Sequence, residues 1–517
     1  MTTNDFPSPQ AYRWVVLGIV MIGTFMAILD SSIVNVALPH MMSAFGVSRD
    51  QIEWVSTAYM LSMAVVMPLV GWTVGRFGHK ALYLSALALF TLGSAACALS
   101  WSYNSLIVAR IAQAIGCGAI QPVGMAIVAD LFAPHERGKA LGIWGTGIMA
   151  APAFGPTLGG YLIDTFSWRT IFSINLPIGL LALMLGAAIM KRQDAAARKN
   201  VPFDYWGFIF LSMALISGLL ALSQGQEKGW DSPYVHTCLA LTIIGGVMFI
   251  GIESASRQPL LDLSLFRSIN FTLSIVLALF RAVGLFGSVF LLPIFLQSLV
   301  GYTTVQTGLW MMPGAIAVGF TMPIAGRLAD RCSPRWLVAI GTFLTGFSLL
   351  QFGHLEPLSD AAAIIVPQVT RGVGLALMMA PLLTVGLNSV PRHRVPMASS
   401  FLTVAQSVGG SFGIALLNTY VTNSIQRHAV RIGELIGTQT ERFSHFALHV
   451  SGVTFRDAHG VLLDDRSKGL ALSAKAIVHR ASVLGFDNGF VLGGLIVLSA
   501  IPLCLLLKRA AHPEAQV

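Results

Sequence analysis

Trp14-Val-Val-Leu-Gly-Ile-Val-Met-Ile-Gly-Thr-Phe-Met-Ala-Ile-Leu-Asp30-Ser-Ser-Ile-Val-Asn35-Val-Ala-Leu38 is an apolar run with one acid inside it. A helix needs about 20 such residues to cross the hydrocarbon of a bilayer, and this run supplies them. An ionised carboxylate at that depth costs several kcal/mol unless a partner offsets the loss of water. Asp30 therefore reads as a group kept for a proton, an ion or a substrate contact. The alternative is a helix-end acid reaching back to water, for which aspartate is short.

The composition extends this reading to the whole chain. Of 517 residues, 55% are hydrophobic and 11% charged, against about 25% charged in soluble domains. Hydrophobicity is spread from end to end, so an all-α membrane protein is expected, with no separate soluble domain. The net charge of +9 does not point to nucleic acid, because Lys and Arg punctuate the gaps between apolar segments and form no single stripe. The cysteines (Cys97, Cys117, Cys238, Cys332, Cys504) show no CxxC pair, so no disulfide is expected. The sequence holds no GxxxxGK[ST] loop for a nucleotide and no HExxH constellation for hydrolysis. Neither direct ATP drive, nor an enzyme, nor a cofactor is indicated. The first apolar run exceeds a signal-peptide core and meets no small-residue cleavage site.

A hydropathy window of about 19 residues gives fourteen spans. Six centre near Met26, Ala64, Leu89, Gly118, Ala150 and Leu180, two near Leu215 and Thr242, and six from Leu285 to Leu495. Residues 1–190 are expected to form a six-helix bundle, 191–260 a basic linker with two inserted spans, and 261–517 a second six-helix bundle. A polar stretch at 424–484 precedes the last span. Alternate gaps carry the basic residues, among them Arg76, Lys80, Arg137, Lys139, Arg327, Arg331 and Arg335. The short gaps between them carry only Arg49, Arg169 and Lys228. By the positive-inside rule, both termini are then cytoplasmic and 424–484 is an external loop.

An internal repeat is visible. Gly71-Trp-Thr-Val-Gly-Arg76-Phe-Gly78-His-Lys80 follows the second span, and Gly326-Arg-Leu-Ala-Asp330-Arg331-Cys-Ser-Pro-Arg335 follows the second span of the last six. Pro134-His-Glu-Arg137 is matched by Pro391-Arg-His-Arg394, and Arg110 by Arg371. Three matches in register argue for two related halves that bind their substrate between them, near the midplane.

These residues carry a family resemblance. Leu29-Asp30-Ser-Ser-Ile-Val-Asn35-Val-Ala-Leu-Pro39 resembles the first-span signature of the fourteen-span drug:proton antiporters, the EmrB and QacA type of the major facilitator superfamily. Gly71 to Lys80 resembles the superfamily's cytoplasmic loop motif, and Leu106-Ile-Val-Ala-Arg110-Ile-Ala-Gln113 its fourth-span motif. Gly142 through Gly155-Pro156-Thr-Leu-Gly159-Gly160 resembles the antiporter motif, and Trp168 to Pro177 the start of the sixth span. Two positions depart from the pattern: Gly75 stands where the loop motif has an acid, and Ala151 replaces a glycine of the fifth-span motif. A charge latch is therefore expected at Asp330 and not in the first copy. The resemblance implies the major facilitator fold, with two six-helix bundles and two extra spans, in the inner (plasma) membrane. It implies proton-coupled efflux of amphipathic drugs or toxic compounds by alternating access, and it permits a periplasmic adaptor partner. A lipid or fatty-acid exporter on the same scaffold and a non-transporting membrane sensor stand as alternatives.

Depth ties two of the candidates together. Asp30 lies roughly 24 Å up an inside-to-outside helix, and Arg110 about 8 Å below the outer edge in an outside-to-inside helix, at 1.5 Å per residue. In a core of about 30 Å they share a height, so they are the expected proton-coupling pair; the other reading of Arg110 is a clamp on backbone carbonyls. The small residues of the fifth span are expected to form a pivot between the halves. Asn35, Gln113, Trp144, Gln297 and Gln406 are candidates for the cavity or for helix–helix hydrogen bonds. Arg281 and Arg371 either face the cavity and an anionic group or pair with carbonyls. Gly71, Arg76, Gly78, Lys80, Asp330, Arg331 and Arg335 are the expected cytoplasmic gating loops. His445 and His449, four apart in the polar stretch, read as exposed histidines of an amphipathic lid or docking surface.

Overall fold

The computed structural model describes residues 9–191, 202–256, 259–356, 360–437 and 465–508. Among these the chain is helical throughout, as expected where backbone polar groups have no water and must satisfy one another along the chain. The first half comprises α1 (Pro9–Phe45), α2 (Arg49–Val66), α3 (Val70–Phe77), α4 (His79–Ala98), α5 (Tyr103–Leu131), α6 (Arg137–Thr165), the short α7 (Thr170–Ser173) and α8 (Asn175–Ile189). The inserted pair is α9 (Tyr205–Lys228) and α10 (Pro233–Ala255). The second half comprises α11 (Ile269–Phe295), α12 (Thr304–Arg331), α13 (Pro334–Phe352), α14 (Ala361–Asn388), α15 (Val395–Gly437), α16 (Asp465–Leu498) and the short α17 (Ile501–Leu505).

Thirteen stretches among the described residues are long and apolar enough to cross a membrane. The remaining expected span is α6, 29 residues long and rich in Gly and Pro. The thirteenth span departs from the sequence expectation at its end. α15 runs unbroken for 43 residues, through Ser424 to Gly437, and α16 is already helical at Asp465. The polar stretch thus begins and ends as extensions of the helices flanking it, because backbone hydrogen bonding continues past the bilayer where no Pro or Gly stops it. His445, His449 and His459 lie outside the described residues.

Helix ends follow local chemistry. α2, α5 and α12 each start with a reciprocal cap, Ser48 with Gln51, Ser102 with Ser105 and Thr303 with Gln306, satisfying donors a helix start leaves free. At the opposite end of the bundle Gly78, at φ +84°, turns α3 into α4 through a backbone region that side chains disfavour. That end also carries Arg76, Asp130, Arg137, Asp330 and Arg392, and is called the basic end below.

The halves meet along two seams. At one, α6 packs along α12 and touches α14; at the other, α5 and α3 pack against α15. The inserted pair covers the second seam: α9 touches both α2 and α15, and the Trp230 indole N–H donates to Thr419 Oγ1 at 3.0 Å. The α6–α12 seam depends on missing side chains. A Cβ at Gly142 would sit 2.6 Å from the Met322 carbonyl, and one at Gly326 2.2 Å from the Gly138 carbonyl. Gly142→Leu is expected to lower stability by about 1–3 kcal/mol through overpacking, read as a fall in the thermal unfolding midpoint in detergent. Gly75→Leu, where a Cβ meets nothing within 4 Å, is expected to leave that midpoint unchanged.

Candidate functional site

Asp30 is fully buried in the first half and bonded from three directions. Arg110 Nη1, from α5, lies 2.7 Å from Asp30 Oδ2. Gln113 Nε2, one turn further along α5, donates to Asp30 Oδ1 at 2.9 Å. Asn175 Nδ2, at the first residue of α8, donates to the same oxygen at 2.7 Å. Behind them Ser94 of α4 accepts from Gln113 at 2.7 Å and from Asn175 at 3.2 Å. One carboxylate therefore ties α1 to α5 and α8, with α4 joined through Ser94.

The guanidinium is held as closely. Arg110 donates to Gln113 Oε1 at 2.6 Å and to the Val55 carbonyl of α2 at 3.4 Å, and stacks over the Tyr59 ring at 3.8 Å. The carbonyl-clamp reading and the ion-pair reading are thus both met by one side chain. In so apolar a setting the ion pair is strong and its neighbours are aligned by it. Adding a proton to Asp30 removes the charge to which the three donors point.

A second polar centre lies between the halves. A cavity of about 10 Å³ is bounded by Gln121 and Met125 of α5, Trp144 of α6, Arg281 of α11, and Thr403 and Gln406 of α15. Arg281 is 2% exposed and donates to Gln406 Oε1 at 2.8 Å. Trp144 donates from Nε1 to Thr24 Oγ1 at 3.3 Å. Of the cavity candidates, these three gather here and the others do not. Gln113 belongs to the Asp30 cluster. Asn35 is exposed and accepts from Ser56 Oγ at 3.2 Å, joining α1 to α2. Gln297 is exposed in a π turn closing α11 after Pro293. Arg371 is buried on α14 and bonds to Gln368, one turn earlier on the same helix.

The repeated loop motif lies at the basic end and holds the halves together. Asp330 of α12 accepts from the backbone N–H of Gly138 at 2.8 Å and of Lys139 at 2.9 Å. It places an anion on the positive end of α6 across the seam. Gly71 makes the matching approach in the other copy: its Cβ would lie 3.1 Å from Met397 Cα on α15. Arg137 donates to the Ala129 carbonyl and to Asn388 Oδ1 across the halves at 2.8 Å, and Arg392 pairs with Asp130 at 3.1 Å. Lys80 caps the end of α8 through the Ala187 and Met190 carbonyls. Arg76 lies over Trp72 and Arg335 over Trp336, and Arg331 is exposed. The fifth-span motif divides its contacts. Gly142 meets α12 and Gly160 lies near Val305 of α12, but a Cβ at Gly155 would strike Ser32 Oγ at 2.4 Å and one at Gly159 would meet Ile33 at 2.9 Å. Gly155 and Gly159 therefore pack on α1 within one half, a correction to a pivot running the whole motif; Pro156 stands between them in the same helix.

The sequence model of the Major Facilitator Superfamily matches residues 20–414. The chain belongs to the major facilitator superfamily. It is 32% identical to the uncharacterized MFS-type transporter YhcA of Bacillus subtilis, over 95% of this chain and 92% of that protein. It is 31% identical to the multidrug export protein EmrB of Escherichia coli K12, over 88% and 90%. It is 32% identical to the multidrug resistance protein B homolog of Mycobacterium tuberculosis H37Rv, over 78% and 75%. The fold matches the proton:xylose symporter XylE with a TM-score of 0.61 at 14% identity, over 98% of this chain and 99% of that one. It matches the human organic anion transporter MFSD10 with a TM-score of 0.58 at 14% identity, over 94% and 99%. The protein is a multi-pass membrane transporter with multidrug-efflux proteins among its relatives, not an enzyme.

Within this superfamily fold, the sequence reading missed Ser94, Tyr59 and the part played by Asn175. Each is a lone polar group in an apolar segment, the same signal that marked Asp30, but weaker because an uncharged group is cheaper to bury. Arg110→Leu leaves the Asp30 carboxylate buried without its counter-charge, so a loss of about 3–5 kcal/mol is expected. Thermal unfolding in detergent reads it, and Asp30→Asn, which keeps the hydrogen-bonding shape, is expected to lose less.

Proposed function

We propose that the chain exports amphipathic compounds against proton influx, by alternating access of the space between its halves. The observation that carries this reading is the Asp30 carboxylate, buried and bonded to Arg110, Gln113 and Asn175 on two other helices. Protonation neutralises it, weakens its charge-assisted bonds and frees α1 from α5 and α8. Loss of the proton redraws them together. A group that ties three helices only when charged turns proton occupancy into bundle shape. The relatives, among them a multidrug export protein and a multidrug resistance protein homolog, support export as the direction of travel.

The gating loops supply the second state. Asp330 on the α6 terminus and the Arg137–Asn388 and Arg392–Asp130 contacts close the basic end, and parting them opens it. The positive-inside pattern supports a cytoplasmic side for that end and for both termini, with the protein in an inner membrane. The 424–484 stretch then faces outward, where a periplasmic adaptor would dock. Substrate and protons are the small partners, in a lipid bilayer.

One observation favours a lipid-like cargo as a second reading. The uncovered α6–α12 seam holds an apolar pocket of about 310 Å³ lined by Ala150, Phe154, Met312, Ala315, Ile316, Gly319 and Phe320. An acyl chain fits such a surface.

Asp30→Asn is expected to cut efflux driven by a pH gradient in inverted membrane vesicles at least tenfold. Export by that variant with unchanged pH dependence would remove the proton-coupling role.

A further inference from the structure

The second half holds two buried guanidinium groups without acid partners in the bonds they make. Arg281 uses Nη2 on Gln406, while its Nη1 is buried with no hydrogen-bond partner. Arg371 bonds only through Nη2, to Gln368, and its Nε and Nη1 are likewise buried and unpartnered. The contrast with the first half is direct. Arg110 occupies the matching place to Arg371 in the repeat, and there the counter-charge is Asp30. A guanidinium does not shed its proton in a protein, and an uncompensated charge in a dry interior is costly. Such a charge is kept where something comes to meet it.

Arg281 is the one of the two that a ligand can reach. It borders the cavity between the halves, whose walls come from α5 and α6 on one side and from α11, α14 and α15 on the other. In this conformation the space has room for about one water, and parting the halves widens it. No Asp or Glu lines it, and the acids at the ends of the second-half spans, Asp330 and Asp487, stand elsewhere. Gln121, Thr403 and Gln406 add neutral polar groups beside the free Nη1, and Trp144, Met125 and Leu402 add apolar surface. A cationic head has nothing there to pair with and one positive charge to repel it.

We infer that Arg281 receives the anionic group of the transported compound, so that this chain takes amphipathic acids in preference to cations. The inference rests on the export reading for its setting but fixes the substrate class by itself. Nη1, buried without a partner on a side chain that lines the cavity, donates to a carboxylate, sulfonate or phosphate oxygen, and the apolar walls take the body of the molecule.

The test uses three amphiphiles with one tail, decanesulfonate, decanol and decyltrimethylammonium, on the full chain in lipid nanodiscs. The readout is the ligand-dependent rise in unfolding temperature. Wild type is expected to respond to the sulfonate at lower concentration than to the ammonium ion. Arg281→Gln is expected to weaken the sulfonate response at least tenfold while keeping the response to decanol, and Arg281→Lys to restore most of it. An Arg281→Gln protein that binds sulfonate as wild type does, or a wild type that prefers the cation or ignores the sulfonate, overturns the inference. If Arg281→Gln does not fold, the charge preference of wild type decides. Proton release from vesicles on adding each amphiphile separates the two readings. Sulfonate binding without proton movement contradicts export and leaves the anion site standing; proton movement with the cation alone does the reverse.

Discussion

A carboxylate and a guanidinium 2.7 Å apart, with side chains 0% and 1% exposed, set the terms for the rest of this protein. Neither group is cheap to bury, and exchanging a buried ion pair for well-packed apolar side chains is often neutral or stabilising. Stability is therefore a weak reason for the pair to be here. What it gives, on the proposed coupling, is a bond that protonation would loosen, spread over α1, α5 and α8 and braced by Ser94 on α4. The remaining architecture frames that bond: long helices, a glycine-rich seam between α6 and α12, and a set of contacts across the halves at the basic end.

The two halves share a backbone plan but not a chemistry. Gly71 approaches α15 as Gly326 approaches α6, so the repeat places a side-chain-free contact at each seam. At the next equivalent position the copies diverge, with Gly75 in the first and Asp330, bonded to the start of α6, in the second. The divergence runs the other way around the arginines, since Arg110 has its acid and Arg371 has Gln368. One half holds the buried ion pair; the other holds the seam latch and the unneutralised cations. On the proposed alternating-access cycle two bodies move as units, and the division would leave each body with a separate task. The inserted α9 and α10 brace only the α2–α15 side, leaving the α6–α12 seam and its apolar pocket facing outward.

Much of this was legible in the sequence because a bilayer imposes blunt rules. Span number and repeat register follow from apolar run length and from charges that cannot be buried, and the meeting of Asp30 with Arg110 follows from counting residues at 1.5 Å each. Rotation about a helix axis does not follow so easily. Asn35 lies five residues beyond Asp30 on α1, yet it faces Ser56 and an exposed surface, while Asn175, from a distant segment, reaches the carboxylate. Gln113, open to either the cavity or a helix–helix hydrogen bond, makes the latter, to the ion pair one turn from Arg110. Gly142 and Gly155 belong to one motif but look toward different helices. Apolar segments with a single polar residue carry too little pattern to fix which way that residue points, and packing decides it.

Infrared difference spectroscopy of the full chain in lipid, recorded between acidic and neutral pH, reads the protonation of buried carboxyl groups directly. The account predicts a protonated-carboxyl band that grows on acidification in the wild type and is absent from Asp30→Asn, accompanied by amide changes as the helices shift. Identical difference spectra for the two proteins would contradict it, because the carboxylate would then be a fixed charge with no part in the cycle.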